Sequence, residues 1–176
     1  MTMKIESALL IQVLEAEPLV GSYWNKYDRS AGWGIPAHIT VLYPFIPPGE
    51  ITESNIKAMQ NLFAQFPRFR AKLAGTRMFP DTLYLFPEPD IPFRELTEAI
   101  YGLFPKFQPY GGVYADVIPH LTIAQTSDRE LLAQITADFD KSSIRRLPFS
   151  IEVSEVALWD NSSGNWKPRD RFAMGE

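Results

Sequence analysis

Residues 36–41 read Pro-Ala-His-Ile-Thr-Val, and residues 118–123 read Ile-Pro-His-Leu-Thr-Ile. The chain has two histidines, and both fall in one pattern: a proline just upstream, then His, aliphatic, Thr, aliphatic. Short apolar runs of this kind form strands, whose side chains point alternately to opposite faces. His38 and Thr40 then share one face about 7 Å apart along the strand. Ile39 and Val41 anchor the opposite face, and His120 and Thr122 repeat the arrangement.

Outward from the two motifs, the elements echo each other. Residues 7–14 read as a buried strand, Pro18–Tyr27 as a helix and His38–Phe45 as a strand. Thr52–Phe66 reads as a second helix, its stripe formed by Ile56, Met59, Leu62, Phe63 and Phe66. Two strands are expected at 69–79 and 82–86. Pro92 then opens a helix carrying Phe93, Leu96, Ile100, Leu103 and Phe104, followed by a strand from His120 to Gln125.

Ser127-Asp128-Arg129-Glu130 predicts a capping box at the start of the next helix. Phe149, Ile151 and Val153 alternate with polar residues as a half-buried strand, and the phase shift at Glu155-Val156 predicts a bulge. Asp160–Asn165 reads as a hairpin loop leading to a last strand near Trp166–Phe172, which Pro168 makes an edge. Strand, helix, His-bearing strand, helix thus recurs in part, with no linker between the copies. One α+β domain spanning residues 1–176, with two related halves, is expected.

Composition narrows the function. The 176 residues carry a net charge of −4 and no cysteine. Disulfides, thiolate metal sites and a cysteine nucleophile are thereby excluded. The start, Met1-Thr2-Met3-Lys4-Ile5-Glu6, lacks a secretory pattern, and no apolar run is long enough for a membrane span, so the expected location is cytoplasmic. An acidic chain with scattered Lys and Arg is a poor match to long nucleic acid, whose phosphates demand a basic surface. Small or terminal phosphates fit better.

Two imidazoles facing one another suit phosphodiester chemistry. An ordinary pKa near 6.5 lets one ring be neutral and the other protonated around neutral pH. The neutral ring takes a proton from the attacking hydroxyl or water, and the imidazolium supplies one to the leaving oxygen. Hydroxyls of Thr40 and Thr122 donate to the non-bridging phosphate oxygens. This scheme calls for no metal and no cofactor. A zinc site would need a third ligand that no spacing motif supplies, and a serine hydrolase would need a Gly-x-Ser-x-Gly elbow that is missing.

These residues resemble the two-histidine (2H) phosphoesterase superfamily, specifically its bacterial 2′-5′ RNA ligase-like branch. The resemblance rests on His38-Ile39-Thr40-Val41 and His120-Leu121-Thr122-Ile123, with support from Tyr43-Pro44-Phe45 and Pro109-Tyr110-Gly111-Gly112. It implies two pseudo-symmetric lobes of antiparallel β-sheet, helices packed on the outside, and a central cleft. It also implies metal-independent opening of 2′,3′-cyclic phosphates or cleavage of 2′-5′ linkages in nucleotides or at RNA termini. His38 and His120 would be acid and base, with Thr40 and Thr122 holding the phosphate.

Aromatic residues near the motifs are candidates for stacking a base: Tyr43, Phe45, Tyr110 and Tyr114. Tyr110 leads them, because its Gly-flanked loop beside His120 can close over a ligand. Two other readings stay open on sequence alone. The same site run in reverse would join RNA ends, and a non-catalytic cleft would bind a nucleotide or phosphate without turning it over.

Overall fold

The structure, a computed structural model, describes residues 4–176. Its elements are β1 (Ser7–Gln12), α1 (Glu17–Tyr27), α2 (Arg29–Gly32), β2 (His38–Leu42) and α3 (Glu53–Phe63), then β3 (Phe69–Phe79), β4 (Thr82–Glu88) and α4 (Ile91–Leu103). The chain continues through β5 (Leu121–Gln125), α5 (Arg129–Ser143), β6 (Phe149–Val153), β7 (Glu155–Asp160) and β8 (Lys167–Ala173). The fold is α+β, as the alternation of periods in the sequence predicts.

All eight strands form one antiparallel sheet in the order β6-β3-β4-β5-β2-β1-β7-β8. The two halves meet at its centre, where β2 lies beside β5. Each half contains a strand–helix–strand unit whose strands are neighbours, β1-α1-β2 and β4-α4-β5. A further helix follows each unit, α3 or α5. The helices exchange sides: α1 packs across β5 and α4 across β2. The halves therefore share one core, in which Leu9, Ile39, Phe63, Leu96, Leu121 and Phe139 are fully enclosed.

Several details differ from the sequence expectation. The first strand stops at Gln12, because Leu14–Ala16 tighten into a 3₁₀ turn that leads directly into α1. The helix of 129–143 is capped by Asp128, whose side chain accepts from the backbone N–H of Glu130 and Leu131, and not by Ser127. A reciprocal capping box does occur, at Thr52 and Asn55 of α3, where Asn replaces the Glu or Gln the usual pattern specifies.

The phase shift after Val153 is not a bulge. With only Ser154 between them, β6 pairs with β3 at one end of the sheet and β7 pairs with β1 toward the other. Strands so far apart in sheet order can be joined by one residue only if the sheet curls round on itself. Among the described residues no helix is long and apolar enough to cross a membrane.

Candidate active site

One pairing sets the geometry. Ile39 of β2 is the antiparallel partner of Leu121 of β5. Both side chains go to the buried helix face. Their neighbours on either side go to the other face, and antiparallel register places His38 opposite Thr122 and Thr40 opposite His120. The two motifs thus meet as a near-symmetric square of two imidazoles and two hydroxyls. All four residues are partly open to solvent, between fully buried neighbours.

Each imidazole is locked by its own chain. His38 Nδ1 lies 2.8 Å from the carbonyl oxygen of Pro36, and His120 Nδ1 lies 2.7 Å from that of Ile118. A carbonyl can only accept, so each Nδ1 carries the hydrogen and each Nε2 keeps its lone pair free in the neutral ring. Aromatic edges hold the rings from the side. Trp24 of α1 stands edge-on to His38 at 5.6 Å, and Phe79 and Tyr84 flank His120 at 5.1 and 5.5 Å.

Enclosure tunes both rings the same way. Burial pushes the His38 pKa down to about 4; the Pro36 carbonyl opposes the shift, and the neighbouring His120 adds to it. Burial also lowers the His120 pKa, opposed by the Ile118 carbonyl. Both shifts favour the neutral imidazole. An anion placed between them would reverse that balance, since an opposite charge within a few ångströms favours the imidazolium.

Tyr110 comes to the square from the loop ahead of β5. Its backbone N–H donates to the Tyr43 carbonyl at 2.6 Å, which ties the loop to the residue that follows β2. Tyr110 itself sits at φ +50°, in the left-handed region, with Gly111 and Gly112 following at φ +63° and +76°. Gly112 at φ +76° is in the region that favours glycine, and a Cβ there would also push aside the Gln108 side chain, 2.5 Å away at Oε1. The Tyr110 hydroxyl is enclosed beside Thr40. Burial raises its pKa, the Thr40 hydroxyl opposes that rise, and Tyr114 adds to it.

The other aromatic candidates divide. Tyr114 meets Tyr110 edge-to-face at 5.7 Å and is largely exposed at the rim. Tyr43 is half-buried and packs against Trp166, with its hydroxyl bonded to Glu6 at 2.8 Å. Burial and Glu6 push the Tyr43 pKa up to about 12. Phe45 is not at the cleft at all. It is buried between Phe104 and Phe107, because after β2 ends at Leu42 the chain turns it into the core.

Sequence reading missed Trp24, Phe79 and Tyr84 as neighbours of the histidines. Tyr84 sits in an apolar strand with nothing local to mark its face, and only the pairing of Tyr84 with Thr122 assigns it. Among the described residues no group of three His, Asp or Glu side chains is placed to hold a metal ion.

The chain belongs to the 2′-5′ RNA ligase superfamily, whose family model matches residues 13–165 and so takes in both histidine motifs. It is 27% identical over 168 residues to a predicted phosphoesterase of Geobacillus kaustophilus (strain HTA426), covering 90% of each chain. Among solved structures it resembles TT0787 of Thermus thermophilus, with a TM-score of 0.62 and 18% identity, covering 97% of this chain and 99% of that one. It also resembles E. coli LigT complexed with NADP+, with a TM-score of 0.60 and 16% identity over 99% and 100% of the two chains. A further LigT structure holds 3′-AMP. At these identities the structural likeness speaks for the fold.

Proposed function

We propose that the chain is a metal-independent phosphodiesterase acting on 2′,3′-cyclic phosphates or 2′-5′ linkages of nucleotides or RNA termini. The observation behind it is the square of His38, Thr122, His120 and Thr40 built on the Ile39–Leu121 pair. The Nε2 atoms are the free ends of two rings whose Nδ1 atoms are occupied. The 3′-AMP bound in a LigT structure supports a small nucleotide as the ligand class.

In hydrolysis of a cyclic phosphate, the neutral imidazole takes a proton from water as the water oxygen bonds to phosphorus. The P–O2′ or P–O3′ bond breaks, and the imidazolium gives its proton to the departing oxygen. The products are a phosphomonoester and a free ribose hydroxyl, with both rings restored after one proton exchange with solvent. Thr40 and Thr122 donate to the two non-bridging oxygens, whose charge rises in the transition state. The bound phosphate anion supplies the field that lets one ring be protonated in a site whose burial favours the neutral form of both.

The test is ³¹P NMR of a 2′,3′-cyclic nucleotide incubated with the protein in EDTA. Conversion of the cyclic resonance to a monophosphate resonance supports the reading. No turnover of cyclic nucleotides or of 2′-5′ dinucleotides, with phosphate still perturbing both histidines, would leave a binding cleft instead. The superfamily name favours one additional arm, in which RNA carrying a cyclic phosphate end is offered a second RNA with a 5′-hydroxyl and the 2′-5′ joined product is sought.

A further inference from the structure

The Pro36–Ala37 peptide is held at both ends. Its carbonyl oxygen accepts from His38 Nδ1 at 2.8 Å, and its N–H donates to the Glu17 carboxylate at 2.7 Å. Carboxylate, peptide group and imidazole therefore form one continuous chain of hydrogen bonds, and such chains polarise their members in a common direction. An anionic acceptor draws on the N–H, which makes the carbonyl of the same peptide a better acceptor for the imidazole N–H.

The fold makes room for this carboxylate. Glu17 is the first residue of α1, and one turn later stands Gly21, which is buried. A Cβ at Gly21 would come within 2.9 Å of Glu17 Oε2. Trp24 lies one turn beyond Gly21, stands against the His38 ring and donates from Nε1 to the Ile35 carbonyl at 3.1 Å. Two side chains of α1 thus grip the backbone on both sides of Pro36.

The second motif has no equivalent. His120 donates to the carbonyl of the Ile118–Pro119 peptide, which has no N–H to offer a carboxylate. Its loop is anchored instead by Arg94 of α4, whose guanidinium donates to the Val117 carbonyl at 3.0 Å and pairs with Asp90 and Asp116. The near-symmetric site is therefore asymmetric just behind its two rings.

We propose that Glu17 is a positioning residue for His38, acting through the Pro36–Ala37 peptide to hold the ring as the Nδ1–H tautomer with Nε2 turned to the cleft. The role rests on the phosphodiesterase reading for its consequence, but its test does not. Besides Glu17, the titratable His120 acts on the ring from across the strand pair, and the Arg171–Glu155 ion pair approaches it through Gln12.

Long-range ¹H–¹⁵N spectra of ¹⁵N-histidine protein at pH 7.5 show only two rings, so the assignment is made with one variant. Wild-type His38 should be the Nδ1–H tautomer. In Glu17→Ala the Pro36 carbonyl is still an acceptor but its peptide is no longer held, so the Nε2–H form of His38 should rise to a detectable minor population. His120, whose peptide has no carboxylate behind it, should stay unchanged. Glu17→Gln, which keeps an acceptor oxygen, should restore the wild-type pattern. Gly21→Ala, whose methyl forces Glu17 Oε2 to shift at a position where Ala favours the helix, should move His38 in the same sense as Glu17→Ala. On a cyclic nucleotide, kcat in Glu17→Ala should fall about 10–100-fold with KM little changed, the range seen when an outer partner of a metal-bound histidine is removed. A wild-type His38 tautomer in Gly21→Ala, and in Glu17→Ala where that variant folds, overturns the proposal whatever the substrate proves to be.

Discussion

Ile39 and Leu121 face each other across the centre of the sheet, and every functional distance in the cleft depends on that pairing. Because strand side chains alternate, two buried aliphatics fix two imidazoles and two hydroxyls on the opposite face. A slip of one residue in either strand would turn that strand's His-Thr pair into the core. The buried positions of the motifs are thus as much part of the site as the polar ones.

In the proposed mechanism Thr40 and Thr122 are the hydroxyl donors of the square. Replacing either by Val keeps the branched shape and removes the donor. Each variant should lose about 10²–10³ in kcat/KM, as for one oxyanion-hole donor, with little change in Tm. Steady-state kinetics and a thermal melt decide it. A variant with wild-type kinetics would remove that threonine from the mechanism.

Burial of the histidines has a sign in stability. The folded His38 pKa is held near 4, below its ordinary 6.5, so the unfolded chain takes up this proton first. His38 has no effect on stability above about pH 7 and costs stability increasingly as pH falls from 6.5 toward 4. His120, also lowered by burial, acts in the same direction. Urea unfolding between pH 7.5 and 4.5 should show a shallower acid loss in His38→Gln than in wild type. An identical slope contradicts the burial account.

The Tyr110 loop is held in shape by Gly112. A methyl there meets Gln108 and adds left-handed strain of about 1–2 kcal/mol, which the loop relieves by moving. Gly112→Ala should raise KM for a nucleotide about tenfold, equivalent to roughly 1.4 kcal/mol, with kcat changed less and Tm nearly constant. Kinetics on the folded variant check this. Unchanged KM would detach the loop from ligand binding.

Phe45 belongs to stability, not recognition. Phe45→Ala opens a cavity between Phe104 and Phe107 and should cost about 3–5 kcal/mol. Denaturant unfolding gives the loss, and KM measured well below the melting temperature should match wild type. A raised KM with little destabilisation would return Phe45 to the cleft.

The sequence carries the site more clearly than the fold carries its details. Two identical His-x-Thr spacings in a chain with only two histidines single out all four corners of the square. The order of elements around them gives the α+β class. What local sequence does not contain is pairing. Nothing near Ser154 says that β6 and β7 serve distant parts of one curled sheet, and nothing near Phe45 says that the chain turns inward after Leu42. The Glu17–Ala37 bond likewise joins residues twenty apart, through a helix whose docking is tertiary.

The central claim is that His38 and His120 act as one acid–base pair. Its most direct test is turnover of a 2′,3′-cyclic nucleotide in EDTA by wild type, His38→Ala, His120→Ala and the double variant. Each single variant should lose about 10²–10⁴ in kcat. The double variant should be little worse than the weaker single one, because groups acting in one step are not additive. Near-wild-type turnover in either single variant, with the protein folded, would contradict the account.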